Sequence, residues 1–245
     1  GINFGTGVGI SLIRTIIISD NIMYIGGSFT IVNGNSWNYI AAYNISTNVW
    51  FNPFGTGLNQ FCQCMLINGT TLYVSGDFTN VNGNAWNRIA AFNINTSTWS
   101  NPFGTGLSSY GTSLVYISNI LYVIGAFTTV NGNAWNRIAA FNTVGNTWSN
   151  PFGTGLNDMV YYMINNNTTL YIIGYFTNVN GNTWNRIASF DTVGSTWSNP
   201  FGTGLNGNSY CLAIANNILY VGGSFTTANG NAWNRIAAFN LGTNT

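Results

Sequence analysis

The chain contains no histidine, no lysine and no glutamate. Its charges are five arginines (Arg14, Arg88, Arg137, Arg186, Arg235) and four aspartates (Asp20, Asp77, Asp158, Asp191), 4% of 245 residues. A net charge of +1 spread this thinly forms no basic stripe able to displace counterions from a phosphate backbone, so nucleic acid is excluded as a partner. The same scarcity removes polybasic attraction to anionic lipid. No apolar run approaches the roughly 18 residues of a spanning helix, and membrane insertion is not expected. Lack of His, Lys and Glu also removes most of the usual general bases. The four aspartates fall at non-equivalent places, so no paired-carboxylate, nucleophile–base or metal-ligand set can be assembled. No enzymatic activity, metal or cofactor is expected. Three cysteines are too few for a disulfide framework. Cys62 and Cys64 lie on one face of an expected strand at roughly 6.6 Å, the upper limit for a relaxed bridge, and free buried thiols are expected.

What the chain has in excess is asparagine, 42 residues against 30 glycines, with aromatic residues at 16%. These are distributed by an internal repeat. Gly-Thr-Gly recurs from Gly5, Gly55, Gly104, Gly153 and Gly202, at intervals of 50, 49, 49 and 49, and Asn-Gly-Asn-x-Trp-Asn from Asn33, Asn82, Asn131, Asn180 and Asn229, a period of 49. In the third copy, 111–117 is apolar and β-branched, a turn follows at Asn119, and 121–128 reads as a second strand. Asn131-Gly132-Asn133 is a turn cluster, since Asn and Gly tolerate positive φ. Residues 137–141 make a third strand, and Thr147-Trp148-Ser149 begins a fourth, stopped near Pro151. Units of 40 to 50 residues carrying four short antiparallel strands point to propeller blades. The expected fold is all-β: a single five-bladed β-propeller over 1–245, with repeats of about 5–54, 55–103, 104–152, 153–201 and 202–245 plus 1–4. Residues 1–4 are expected to complete or abut the last blade.

The candidate site is the Asn-Gly-Asn-x-Trp-Asn-Arg turn. It places Trp37, Trp86, Trp135, Trp184 and Trp233 equivalently, with Arg88, Arg137, Arg186 and Arg235 two residues later and Tyr39 in the first copy. An indole face stacks on sugar C–H groups while Asn amides and guanidinium groups bond hydroxyls. The competing reading has the Trp capping the core and the Arg bonding turn carbonyls. A second Trp series (Trp50, Trp99, Trp148, Trp197) sits on the fourth strand and reads as structural. The first strand varies most between copies, at Arg14, Cys64, Ser113, Tyr162 and Cys211. First strands line a propeller axis, so this row reads as axial lining, either a packing solution at a crowded axis or a single axial pocket.

Gly26-Gly27 followed by Tyr43 and, seven residues on, Trp50 resembles the kelch repeat. Closer still, Leu219-Tyr220-Val221-Gly222-Gly223-Ser224-Phe225-Thr226 followed by Asn234-Arg235-Ile236-Ala237 resembles the repeats of cortical cell-polarity marker proteins, and each copy carries that pattern. The resemblance implies a kelch-like propeller, extracellular or displayed on a cell or virion surface, without assigning a task. Those repeats keep the Asn-Arg-Ile-Ala part but usually have a small residue where this turn Trp stands, which makes the Trp informative. Kelch-like oxidases place Cys, Tyr and His around copper, and the His is missing here. The expected role is a non-enzymatic display or binding module, in its sharpest form a multivalent lectin. The alternative is a coat, stalk or filament protein whose neutral Asn/Thr-rich faces pack on copies of itself. Expected partners are therefore glycans, surface proteins or further copies of the chain.

Overall fold

The computed structural model describes residues 4–9, 11–199 and 201–243. Each apolar run predicted to open a repeat is a strand: Ile13–Ser19, Cys62–Asn68, Gly111–Ile117, Val160–Asn166 and Ser209–Ala215. A tight turn returns each to a second strand, Ile22–Gly27, Thr71–Gly76, Ile120–Gly125, Thr169–Gly174 and Ile218–Gly223. Third strands follow at Ile40–Asn44, Ile89–Asn93, Ile138–Asn142, Ile187–Asp191 and Ile236–Asn240. Four sheets carry a short fourth strand, Val49–Phe51, Thr98–Ser100, Thr147–Ser149 and Thr196–Ser198. The strands pair in sequence order, first to fourth, giving among the described residues four four-stranded antiparallel sheets and a three-stranded last one. No helix occurs among the described residues. The expected contribution of residues 1–4 to the last sheet falls almost wholly outside the described residues.

The turns explain much of the asparagine. Between first and second strands of the third sheet, Ser118 and Asn119 both have positive φ (48° and 68°), the backbone of a two-residue turn matched to strand twist. Between third and fourth strands, the Asn44 carboxamide oxygen accepts the N–H groups of Ser46 and Thr47, both at 3.0 Å. Asn93, Asn142, Asp191 and Asn240 repeat this side-chain turn, so Asp191 is a hairpin cap with no call for chemistry.

The chain forms two compact units, residues 1–111 with 130–132 and residues 112–129 with 133–245. In the first unit, Tyr24, Ile40 and Ala42 of the first sheet pack on Cys62, Met65 and Val74 of the second. In the second unit, Tyr122, Ile138 and Ala140 meet Val160, Met163 and Ile172 in the same way. Tyr171 and Ile187 likewise meet Leu212 and Val221. Within each unit, the forward face of one sheet thus packs on the backward face of the sheet that follows it. Burying one such Ile, Met or Phe stabilises by roughly 1.5–3 kcal/mol, and the fully buried phenylalanines are the largest contributors.

Within a unit, an aromatic stack ties one repeat to the one before. Phe54 lies 4.7 Å from Phe92, which lies 4.9 Å from Trp99, and the Trp99 indole N–H donates to the Phe54 carbonyl at 3.0 Å. Trp197 repeats the arrangement on Phe190 and the Phe152 carbonyl, and Trp50 bonds the Phe4 carbonyl. The fourth-strand Trp is structural in all three.

Candidate functional site

The Asn-Gly pair at the centre of each candidate turn has positive φ at both residues, for example 47° and 87° at Asn180 and Gly181. This is the two-residue geometry that favours Asn-Gly in tight hairpins. It folds the expected turn into a miniature hairpin, Ile31–Val32 with Asn35–Ser36 in the first copy and Thr227–Ala228 with Asn231–Ala232 in the fifth. The second and fourth copies keep single bridges, Val81 to Asn84 and Val179 to Asn182.

The first Asn of the motif clamps the Gly-Thr-Gly loop. Asn82 Oδ1 accepts the Thr56 N–H at 3.0 Å and its hydroxyl at 3.2 Å. Asn180 does the same for Thr154, at 3.1 and 3.4 Å. Its own N–H donates to the carbonyl of Gly155. From the other side, the Asn preceding the Arg donates its amide to a loop carbonyl: Asn87 to Thr105 at 3.2 Å, Asn136 to Thr154 at 3.2 Å and Asn185 to Thr203 at 3.0 Å. The Gly-Thr-Gly loop is therefore held between the turns of two successive repeats.

Arg88, Arg137 and Arg186 are half-buried, and Arg235 is exposed. Arg88, Arg137, Arg186 and Arg235 all have positive φ (68°, 68°, 65° and 71°), as does Tyr39 (66°). One guanidinium nitrogen of each donates to a backbone carbonyl, that of Asp77, Ala126, Leu205 or Ser224 respectively. Arg88 also lies 3.7 Å from the Asp77 carboxylate. This is the carbonyl-bonding alternative of the sequence reading, in which these side chains brace the backbone beside the turn.

The turn Trp residues divide their surface. Trp37, Trp86 and Trp184 are half-buried, each with one side on an apolar cluster. Trp135 is half-buried too, and Trp233 is exposed. Unlike the fourth-strand series, no indole N–H of these five donates to a protein acceptor among the described residues. In the first, second, fourth and fifth copies the same turn carries exposed amides with spare capacity. Asn35, Asn84, Asn182 and Asn231 use the amide nitrogen locally, leaving the carbonyl oxygen open. The clamping Asn33, Asn82, Asn180 and Asn229 use the oxygen. In the second unit two cavities adjoin these turns. One of ≈ 310 Å³ is lined by Asn136, Arg137, Thr154, Gly155 and Asn157. The other, ≈ 160 Å³, has Trp233, Asn229 and Asn231 over an apolar floor of Phe201 and Phe239.

The first-strand row separates into unlike environments. Strand register aligns Thr15, not Arg14, with Cys64, Tyr162 and Cys211, opposite Gly26, Ser75, Ile173 and Gly222. Arg14 instead occupies a β-bulge together with Gln63, Tyr161 and Tyr210. The cause is one additional residue between Gly7 and Ile13 in the first copy, which breaks the spacing counted from Gly-Thr-Gly. Arg14 is exposed, donates to Gln63 Oε1 at 3.1 Å and lies 5.6 Å over the Phe61 ring. Gln63 in turn donates to Asp77. Ser113 is buried and bonds the Met163 backbone. Cys62 and Cys64 are buried free thiols, as expected, whereas Cys211 is free but exposed. Burial pushes the Cys64 thiol up to about 12 and Cys62 well above the ordinary value, which leaves both without thiolate character. Tyr162 is exposed.

Among the described residues no three His, Cys, Asp or Glu side chains converge as a metal site, and no helix is long and apolar enough to cross a membrane. No family model and no curated protein matches the chain. Two solved structures of computationally designed proteins are similar to it. Ika8 aligns with a TM-score of 0.58 at 13% identity, over 97% of this chain and 74% of its own. Ika4 aligns with a TM-score of 0.50 at 15% identity, over 71% of this chain and 92% of its own. At such identities the likeness extends to the fold alone, an all-β architecture of repeated antiparallel sheets.

Proposed function

We propose that the chain is a non-enzymatic binding module displayed outside a cell or virus particle. Its five sheets act as the blades of a β-propeller, and each Asn-Gly-Asn-x-Trp turn offers one weak carbohydrate site. The observation that carries this reading is the contrast between the two Trp series. The fourth-strand indoles spend their N–H on a carbonyl. The turn indoles keep theirs, with part of the ring exposed and open amides alongside. A half-exposed aromatic face with neutral donors and acceptors around it suits a hydroxyl-rich, uncharged ligand. The guanidinium groups act as braces in this reading, holding the turn through backbone carbonyls. No cofactor takes part.

A shallow site with few hydrogen bonds supplies millimolar affinity, roughly 4 kcal/mol. Several equivalent sites on one chain bind a branched or surface-attached glycan more tightly through effective concentration. A glycan-array screen tests this, with the chain run beside a variant in which Trp37, Trp86, Trp135, Trp184 and Trp233 are all alanine. The reading requires hits that the variant loses while its circular dichroism is kept. Equal binding by both proteins, or silence across a broad array, overturns it.

A further inference from the structure

Charge is rare in this chain, yet three of its charged side chains line one cavity. Two of the five arginines, Arg14 and Arg88, and one of the four aspartates, Asp77, border a cavity of ≈ 640 Å³ together with Phe61, Gln63 and Tyr110. Gln60 and Thr79 complete the lining. All of these residues belong to the first compact unit. The volume is that of a small-molecule site. The bulges of the first strands build it. A bulge re-aims the side chain it carries, and here Arg14 of the first sheet donates to Gln63 of the second at 3.1 Å. Gln63 in turn donates its amide to one Asp77 carboxylate oxygen, and the other oxygen lies 3.7 Å from Arg88. In the second unit the same two positions hold no charge: Tyr161 packs edge-on against Tyr175, and the Tyr210 hydroxyl donates to Ser224. Repeats that are otherwise nearly alike differ at this place.

The two arginines are unlike. Arg88 is matched by the Asp77 carboxylate and bonds the Asp77 carbonyl. Arg14 has no carboxylate within ion-pair distance among the described residues; it bonds Gln63 and lies 5.6 Å over the Phe61 ring. A guanidinium carries five N–H donors in a planar fork, so most of those on Arg14 remain for a ligand. Stacking on Phe61 fixes the plane of the fork, and a planar carboxylate accepts two parallel N–H bonds from such a fork. The rest of the lining is suited to hydroxyl groups. The exposed Gln60 amide makes no hydrogen bond among the described residues. The Thr79 hydroxyl accepts from the Asn59 amide and keeps its own hydrogen to donate. The half-buried Tyr110 offers ring surface to the C–H face of a sugar.

We propose that this cavity binds a saccharide carrying a carboxylate, of the uronic acid type, with the carboxylate on Arg14 and ring hydroxyls on Gln60 and Thr79. It is a single site whose ligand is charged, unlike the repeated neutral turns, and it is independent of binding at those turns.

The test is a titration of the nitrogen-labelled chain with glucuronate, glucose, acetate and a tetraglutamate peptide, followed by magnetic resonance at the Arg14 side-chain N–H and the Gln60 and Gln63 amides. Glucuronate should bind once per chain with a Kd on the order of 1 mM. Glucose, acetate and the peptide should each bind there about tenfold more weakly or less, since each lacks either the carboxylate or the sugar. Arg14→Gln, a polar replacement at an exposed position, should weaken glucuronate by about tenfold or more. Asp77→Asn should act in the opposite direction, tightening glucuronate by about two- to fivefold, because it removes the negative charge of the cavity. Both effects are read in variants whose spectra overlay the wild type away from the cavity. No shift with glucuronate, equal affinity in wild type and Arg14→Gln, or weaker binding in Asp77→Asn overturns the proposal. Acetate or tetraglutamate bound as tightly as glucuronate overturns it as well, because the carboxylate is then read without the sugar.

Discussion

Replacing Gly153 by alanine perturbs the clamp between the Gly-Thr-Gly loop and the Asn-Gly turn most directly. Gly153 has φ of 68°, and a Cβ built there overlaps the Asn180 carboxamide oxygen. Two costs add. The left-handed backbone costs an alanine roughly 1–2 kcal/mol. Displacing Asn180 removes its bonds from the Thr154 N–H and hydroxyl, at 3.1 and 3.4 Å. Because these groups are exposed and water replaces part of the loss, that term is about 1 kcal/mol. Gly181→Ala is the control: its φ is 87° and nothing lies within 4 Å of its added Cβ, so only the backbone cost applies. In urea titrations at matched slope, Gly153→Ala should therefore destabilise by about 2–3 kcal/mol and Gly181→Ala by about 1–2 kcal/mol. In an Asn180→Gly background the excess should vanish, a coupling of about 1 kcal/mol between sites in contact. Hydrogen exchange at the Thr154 amide reports the same loss locally. Equal costs for the two alanines, or no coupling to Asn180, would refute the clamp.

Trp197→Phe should cost about 1–3 kcal/mol, because the Phe152 carbonyl loses its 3.0 Å indole donor inside a packed aromatic stack, whereas Trp184→Phe, which removes no such bond, should stay near 0.5 kcal/mol; thermal melts of the pair check this. A thiol-reactive probe should label Cys211 alone in the native chain and all three cysteines in denaturant. Stability should fall on the alkaline side. The folded pKa values of Cys62, Cys64, Tyr24, Tyr122 and Tyr171 are raised by burial, so the stability these groups contribute is complete below their unfolded values. For Cys64 it is lost as pH rises from about 9 toward about 12, and Cys64→Ala should soften that decline in pH-dependent melts. Asp77→Asn should cost no more than about 1 kcal/mol, since the 3.7 Å pair with Arg88 is partly solvent-exposed, and added salt should mask the difference.

The strands were legible because their cause is local. Alternating β-branched runs such as 111–117, closed by Ser118-Asn119, specify strand and turn from neighbours in sequence. The role of the asparagines was not, because Asn180 finds its partner in Thr154, 26 residues earlier. The bonding of the arginines to backbone carbonyls depends on a left-handed backbone that nothing in the residue type Arg announces. The Arg14 alignment failed for a different reason: a fixed period assumes equal loops, and the first copy has one residue more before its first strand.

The central claim is that five equivalent turns, and not the fourth-strand indoles, meet a hydroxyl-rich ligand. The most direct measurement is an indole N–H spectrum of the nine tryptophans, titrated with neutral mono- and disaccharides and assigned by single Trp→Phe variants. The account predicts that the signals of Trp37, Trp86, Trp135, Trp184 and Trp233 move together while those of Trp50, Trp99 and Trp197, already bonded to carbonyls, stay fixed. Movement confined to the fourth-strand set, or none at millimolar sugar, would contradict it.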